Sequence, residues 1–316
     1  MLHKPVWTGI DIGHHSVKAV VLKQNKGRLA LLHYAEVALS SAEHTGASPG
    51  GGLHHNSLSG PILLSALRKI RTLLPKRSAR TVLSLPDSEV VQQELTLEQR
   101  WGQDIGTELA KILAGTLSME PEALSLDYYP APLSEQGETD SGLRFQVFAA
   151  KTSALEARTQ SVREAGFDPV IMELQARALL WLLAYCHRQA ITAMGVNPAL
   201  VCLGAEEADL AAGFSHSLPL HRTFMLSRSG NAPSSELLRQ LLHYHSLSPL
   251  TGLWLTGRAL SDEELAWWQQ ACGLPVAFLT PGQVFPLLHR SPAVAVPHDT
   301  AWARAAALAV RGALSC

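Results

Sequence analysis

Charge is scarce in this 316-residue chain. Asp, Glu, Lys and Arg make up 17% of it, below the ~25% of an average soluble domain, while hydrophobic residues reach 47%. That balance excludes intrinsic disorder and a charge-rich coiled coil. Neither sign dominates: 26 Lys plus Arg stand against 27 Asp plus Glu, a net charge of -1, and only 8 of the cations are lysines. Nothing therefore draws the chain over long range to nucleic acid or to acidic lipid. Long apolar runs are missing as well. The longest, Ala178 to Cys186, has 9 residues, far short of the ~20 of a membrane-spanning helix. The opening MLHKPVWTGIDIG has no apolar segment followed by a small-residue cleavage site, so the expectation is a cytoplasmic protein. The 4 cysteines, Cys186, Cys202, Cys272 and Cys316, form no CxxC pair, which speaks for reduced core thiols rather than a disulfide framework or a zinc site.

What is present is enough chain for about two domains. Val6 to Ile12, Val17 to Leu22 and Leu29 to Val37 are short β-branched and aliphatic runs separated by turn residues, an antiparallel meander. Ser40 to Gly60 shows no period and reads as a surface insertion; its His44, His54 and His55 lack the spacing of metal ligands. Pro61 to Leu74 is an amphipathic helix. Residues of about 88 to 150 read as a small α+β insert: a strand from Glu89 to Leu97, a helix from Leu97 to Leu117, and strands Leu124 to Tyr129 and Leu143 to Ala150. After a helix from Thr152, a strand Pro169 to Met172 and an apolar helix Leu174 to Ala190, the pattern starts again with strands at Ala199 to Leu203, Ala208 to Phe214 and Leu218 to Leu226. Ile10-Asp11-Ile12-Gly13 and Val201-Cys202-Leu203-Gly204 share one design, 191 residues apart (202 minus 11), which points to a repeated lobe. The expected organisation is a first lobe over 1 to 190 carrying the insert, and a second over 191 to 316.

The sharpest local signal is Gly9-Ile10-Asp11-Ile12-Gly13-His14-His15-Ser16-Val17-Lys18. A strand ending in Asp-x-Gly that turns straight back can set a carboxylate beside a cation and aim the N–H groups of its turn at phosphate oxygens, with Lys18 as a further point charge. It can equally be a tight hairpin whose Asp11 caps the turn and whose Lys18 is solvated.

That hairpin resembles the first phosphate loop of the actin-like ATPases, and the order of later segments is similar to their type IV pilus branch, the PilM family, related to FtsA. Val82 to Pro86, Val90 to Leu97, Leu126 to Tyr129, Phe148 to Lys151, Glu164 to Val170 and the closing Ala303 to Gly312 carry the likeness over nearly the whole chain, closest to the subgroup called HofM in enteric bacteria. The resemblance implies an α/β fold of two actin-like (ribonuclease-H-like) lobes with an inserted α+β subdomain. It also implies ATP and Mg2+ between the lobes, held by Asp11 (the metal-side acid), Gly13, His14, His15, Ser16, Lys18, Gly204, Ala205, Gly257 and Arg258. This chain departs from the pattern there. His14 and His15 replace small residues, Cys202 stands where the second acid belongs, Glu206 and Glu207 follow it, and only Gly257 of the glycine-rich adenosine segment remains, next to Arg258. Hydrogen bonds to charged groups are worth ~1.5–3 kcal/mol each, so losing two weakens binding about a hundredfold or more. Glu173 or Gln175 could position a water, though both read better as polar residues at a helix start. The expectation is a scaffold without efficient hydrolysis and with no catalytic residues; the competing readings are an active Mg-ATP hydrolase or phosphotransferase, and a nucleic-acid binder, the latter set against the near-zero net charge. The resemblance further implies a partner, the cytoplasmic tail of a PilN-like (HofN-like) inner-membrane protein, gripped by Pro86, Val90, Val91, Leu95 and Trp101, with Tyr128 and Tyr129 as either anchors or core.

Overall fold

The computed structural model describes residues 6–39, 60–98, 104–131, 142–191, 193–215, 219–226, 235–286 and 302–315. The insertion expected at 40 to 60 with its three histidines, the segment around Trp101, and Cys316 therefore lie outside the described residues, apart from Gly60.

In chain order the elements are β1 (Val6–Ile12), β2 (Ser16–Asn25), β3 (Arg28–Ala38), α1 (Gly60–Leu73), β4 (Arg80–Leu85), β5 (Val91–Glu98), α2 (Ile105–Leu117), β6 (Leu124–Pro130), β7 (Gly142–Lys151), α3 (Thr152–Glu164), β8 (Asp168–Leu174) and α4 (Gln175–Arg188). The second half holds β9 (Pro198–Leu203), β10 (Glu207–Ala212), β11 (Leu220–Met225), α5 (Ser235–Leu247), β12 (Gly252–Gly257), α6 (Asp262–Cys272), β13 (Val276–Phe278), α7 (Pro281–Val284) and α8 (Ala303–Leu314). None of the described helices is long and apolar enough to cross a membrane.

Two five-stranded sheets repeat one plan. The first has the order β3-β2-β1-β4-β8, the second β11-β10-β9-β12-β13. In each, the opening strand runs antiparallel to its successor and parallel to the strand on its other side. Strands β1 and β9 are buried along nearly all their length, as central strands covered on both faces are, which is why they read as continuous apolar runs. Helix α1 covers the first sheet with Leu63, Ala66, Leu67 and Ile70, spaced at helical intervals on one stripe. Helix α6 starts at a capping box in which Ser261 and Glu264 satisfy each other's backbone N–H.

Helix α8 is the part that brings these halves together. It is rich in alanine because it lies almost against the backbone of β1: a Cβ placed on Gly9 would stand 1.9 Å from the Ala305 carbonyl oxygen. Its neighbour α4 buries Ala178, Leu179, Leu182 and Leu183 in the same core.

Leu85–Gln160 form a compact unit of their own, apart from the unit made by residues 1–84 and 161–316. It has a three-stranded sheet of order β5-β7-β6, antiparallel throughout. Strand β5 alternates, with Leu95 and Leu97 inward and Gln92, Glu94, Thr96 and Glu98 outward, so one face meets a core shared with Leu109, Leu113, Phe145 and Val147. The helix expected from Leu97 begins only at Ile105, where the Asp104 side chain accepts the Gly106 N–H, because β5 keeps its pairing with β7 as far as Glu98.

Candidate functional site

The two hairpins that sequence singled out face each other. Asp11, the last but one residue of β1, is buried directly across the pair from Lys18 on β2. The Ile12 N–H donates to Ser84 Oγ (2.9 Å), and the Gln175 amide, at the first residue of α4, donates to Asp11 Oδ1 (3.4 Å). Lys18 is engaged with Glu36 of β3, 3.7 Å away. The turn itself closes by Gly13 N–H donating to the Ser16 carbonyl (3.1 Å), and Ser16 is buried.

In the second hairpin Gly204 N–H donates to the Glu207 carbonyl (2.7 Å), and a Cβ on Gly204 would lie 2.8 Å from that oxygen. Ala205 is exposed at the tip. Across the gap the turns meet by charge: His14 Nε2 is 3.6 Å from Glu207 Oε1 and His15 Nε2 is 3.8 Å from Glu206 Oε1. The Glu207 carboxylate raises the pKa of His14 against the opposing effect of burial, and His14 in turn lowers that of Glu207.

Behind the turns lies a group that reading the sequence missed. Asp209 of β10 is wholly buried, accepts from Thr223 Oγ1 (2.7 Å) and is ion-paired with Arg304 Nε of α8. Burial pushes the Asp209 carboxyl up while Arg304 and Thr223 pull it down. Burial also opposes the charge of Arg304, but the carboxylates of Asp209 and Asp11 around it hold its pKa above the ordinary arginine value. Cys202 itself is a buried thiol pushed up to about 12, so it stays protonated and supplies no negative charge.

The remaining candidates are built into the frame. Gly257 sits at φ 102°, and a Cβ there would stand 2.0 Å from the Leu203 oxygen, so no other residue fits this end of β12. Arg258 forks onto Glu264 of α6, Nη2 to Oε1 at 2.6 Å and Nη1 to Oε2 at 3.3 Å, which ties its loop to that helix. Glu173 receives Arg311 Nε (3.0 Å) and Trp181 Nε1 (3.2 Å), with Arg177 3.8 Å away. Among the described residues no three His, Cys, Asp or Glu side chains converge as ligands for a metal ion.

Of the partner-binding candidates, Pro86 precedes a short turn of Asp87 to Glu89, Val90 follows it, and Val91 opens β5. Leu95 is 8% exposed and belongs to the core of its unit, because the alternation along β5 turns it inward. Trp101 lies outside the described residues. Tyr128 packs edge-on against Phe145 while remaining partly exposed, and Tyr129 lies against Phe148. Among the described residues only β7 pairs with β5, which leaves its other edge without a strand.

The family model described as type IV pilus assembly protein PilM matches residues 9–212. Among solved structures the chain is similar to a PilM-PilN type IV pilus biogenesis complex, at 18% identity over 97% of this chain and 98% of that one, with a TM-score of 0.67. It is also similar to the cytoplasmic domain of EpsL, an inner-membrane component of the type II secretion system of Vibrio cholerae (10% identity, 98% and 95% covered, TM-score 0.49). A third likeness is to a Bacteroides thetaiotaomicron protein of actin-like ATPase fold and unknown function (12% identity, 90% and 93% covered, TM-score 0.45). Comparison with curated proteins found no match. Its likeness to the PilM-PilN structure and its own topology give the fold, the actin-like one, two sheets of one plan with an inserted α+β unit.

Proposed function

The chain belongs to the PilM family of type IV pilus assembly proteins, and from that premise we propose that it is an actin-like scaffold of a pilus or DNA-uptake platform. It binds the cytoplasmic tail of a PilN-like inner-membrane protein and reaches the membrane through that partner. The observation that carries this reading is the extent of the family match: residues 9–212 take in both hairpins and the whole of the Leu85–Gln160 unit. Among the described residues no strand pairs with the other edge of β5; that edge offers an extended tail backbone pairing, and Val91 with its neighbours offers side-chain contacts. Within the family we assign the chain to the HofM subgroup and its partner to the HofN type, on the order of the segments from Val82 to Val170.

The same reading makes the nucleotide site degenerate. Asp11 is the one acid kept at the hairpin ends, and it favours the rival reading of an active Mg-ATP hydrolase or phosphotransferase. Against that stand the neutral Cys202 thiol, the paired Lys18 and the two glutamates on the second turn. Calorimetry with a synthetic PilN-like tail decides the matter: binding is expected without nucleotide, and no binding with or without magnesium ATP would end the scaffold reading.

A further inference from the structure

We propose that the crevice between the two hairpins is held shut by the chain's own charges, with Arg304 as a fixed internal cation, so that the two five-stranded sheets keep one mutual setting without nucleotide. One ion pair and two histidine–carboxylate contacts span the crevice in the same sense. Arg304, on the helix seated against β1, and the imidazoles of His14 and His15 on the β1–β2 turn stand on one side; Asp209, Glu207 and Glu206 on the β9–β10 hairpin stand on the other. Each residue that departs from the phosphate-loop pattern on one turn meets such a departure on the other.

The buried member fixes the arrangement. Asp209 is fully enclosed, and a carboxylate there stays charged only with its cation beside it. Arg304 reaches further than this one contact: its Nη2 is buried, has no hydrogen-bond partner, and lies 3.8 Å from where a Cβ on Gly204 would stand. The guanidinium thus occupies the ground beneath the second turn and interacts with Asp11 as well as Asp209. A divalent ion beside Asp11 would face this positive charge, and a polyphosphate would meet Glu206 and Glu207, whose histidines it would have to displace. The side chains present do not fit a magnesium nucleotide. They replace what it would do, which is to join one half to the other.

The inference goes beyond the scaffold reading and needs no partner. Its test is amide hydrogen exchange of the full chain over residues 11–18 and 203–212, with calorimetric titration by magnesium ATP. Two variants serve: Asp209→Asn with Arg304→Gln, which removes both buried charges together, and His14→Gln with His15→Gln on the exposed turn. Exchange at both hairpins is expected to quicken by about tenfold or more in the first variant and by less in the second, with β3 and β12 unchanged. The unsubstituted protein is expected to give no heat with magnesium ATP. Unchanged exchange in both variants, or tight magnesium-ATP binding by the unsubstituted protein, overturns the proposal. Should the first variant fail to fold, the histidine variant alone decides, and unchanged exchange there counts against the latch. Tail binding is a separate readout: a protein that ignores the tail yet shows the exchange change loses the scaffold reading and keeps the latch.

Discussion

Asp209 holds in the second sheet the place that Lys18 holds in the first. Lys18 lies across from Asp11 on the β1–β2 pair, and Asp209 lies across from Cys202 on the β9–β10 pair, in the same register. Both equivalences span 191 residues (202 minus 11; 209 minus 18). The second half therefore carries its acid at the crevice on the neighbouring strand, and a basic residue from α8 answers it.

The His14–Glu207 contact makes part of the stability depend on pH. The folded pKa of His14 is raised above 6.5, so its contribution is complete below that value and is lost as pH rises through the folded pKa. Glu207 is lowered from 4.5, so its contribution is present above that value and lost as pH falls through the folded pKa. The pair stabilises most between those limits. The melting temperatures of the unsubstituted protein and of His14→Gln are expected to differ more near about pH 5.5 than near about pH 8.5. The difference is the readout because His221, half-buried on β11 with its pKa pushed down to about 4 by burial, destabilises the fold as pH falls below 6.5 in both proteins.

Two glycines, Gly257 at the end of β12 and Gly13 in the first turn, will answer alanine differently. Gly257→Ala forces a side chain into the Leu203 backbone at a φ of 102°, and urea unfolding is expected to show a loss of roughly 3 kcal/mol or more. Gly13→Ala meets only the Ser16 oxygen at 3.4 Å, an ordinary contact, so a change of about 1 kcal/mol or less is expected.

Leu95→Ala is expected to weaken partner capture by loosening the Leu85–Gln160 unit. The side chain fills a core with Leu109, Leu113 and Phe145, and removing it should cost about 2–5 kcal/mol. Circular dichroism melting and tail binding measured on the same variant should fall together; tail binding lost at an unchanged melting point would make Leu95 a contact residue instead.

Glu173→Ala should act on stability alone. Both carboxylate oxygens are taken up by Arg311, Trp181, Arg177 and the Leu174 N–H, so a loss of about 2–4 kcal/mol is expected from the lost contacts of both arginines and of the half-buried indole. Any ATP turnover removed by this change at full stability would return Glu173 to the role of positioning water.

The repeated hairpins and the insert were legible because each rests on local pattern. Val6 to Ile12 is a strand at the residues its composition marks, and β5 alternates as a half-buried strand must. The charge network was not legible, since Asp209 and Arg304 are far apart in sequence and each sits in an alanine-rich segment that reads only as core. A signal existed. An acid inside the apolar run Ala208 to Ala212 demands a cation, and α8 offers Arg304 and Arg311 two helical turns apart on one face. Arg304 takes Asp209 and Arg311 takes Glu173. Arg258 misled for a related reason: its partner Glu264 belongs to the next helix, and pairing with it turns a residue beside a nucleotide motif into a brace.

The seat of α8 on β1 also sets a timetable for biosynthesis. Gly9 leaves the ribosome some 296 residues before Ala305 (305 minus 9), the residue that will cover it. At ~5–20 residues per second, the first strand waits roughly 15–60 s for its lid. During that interval the face around Trp7 and Gly9 is open to whatever chaperone meets the nascent chain.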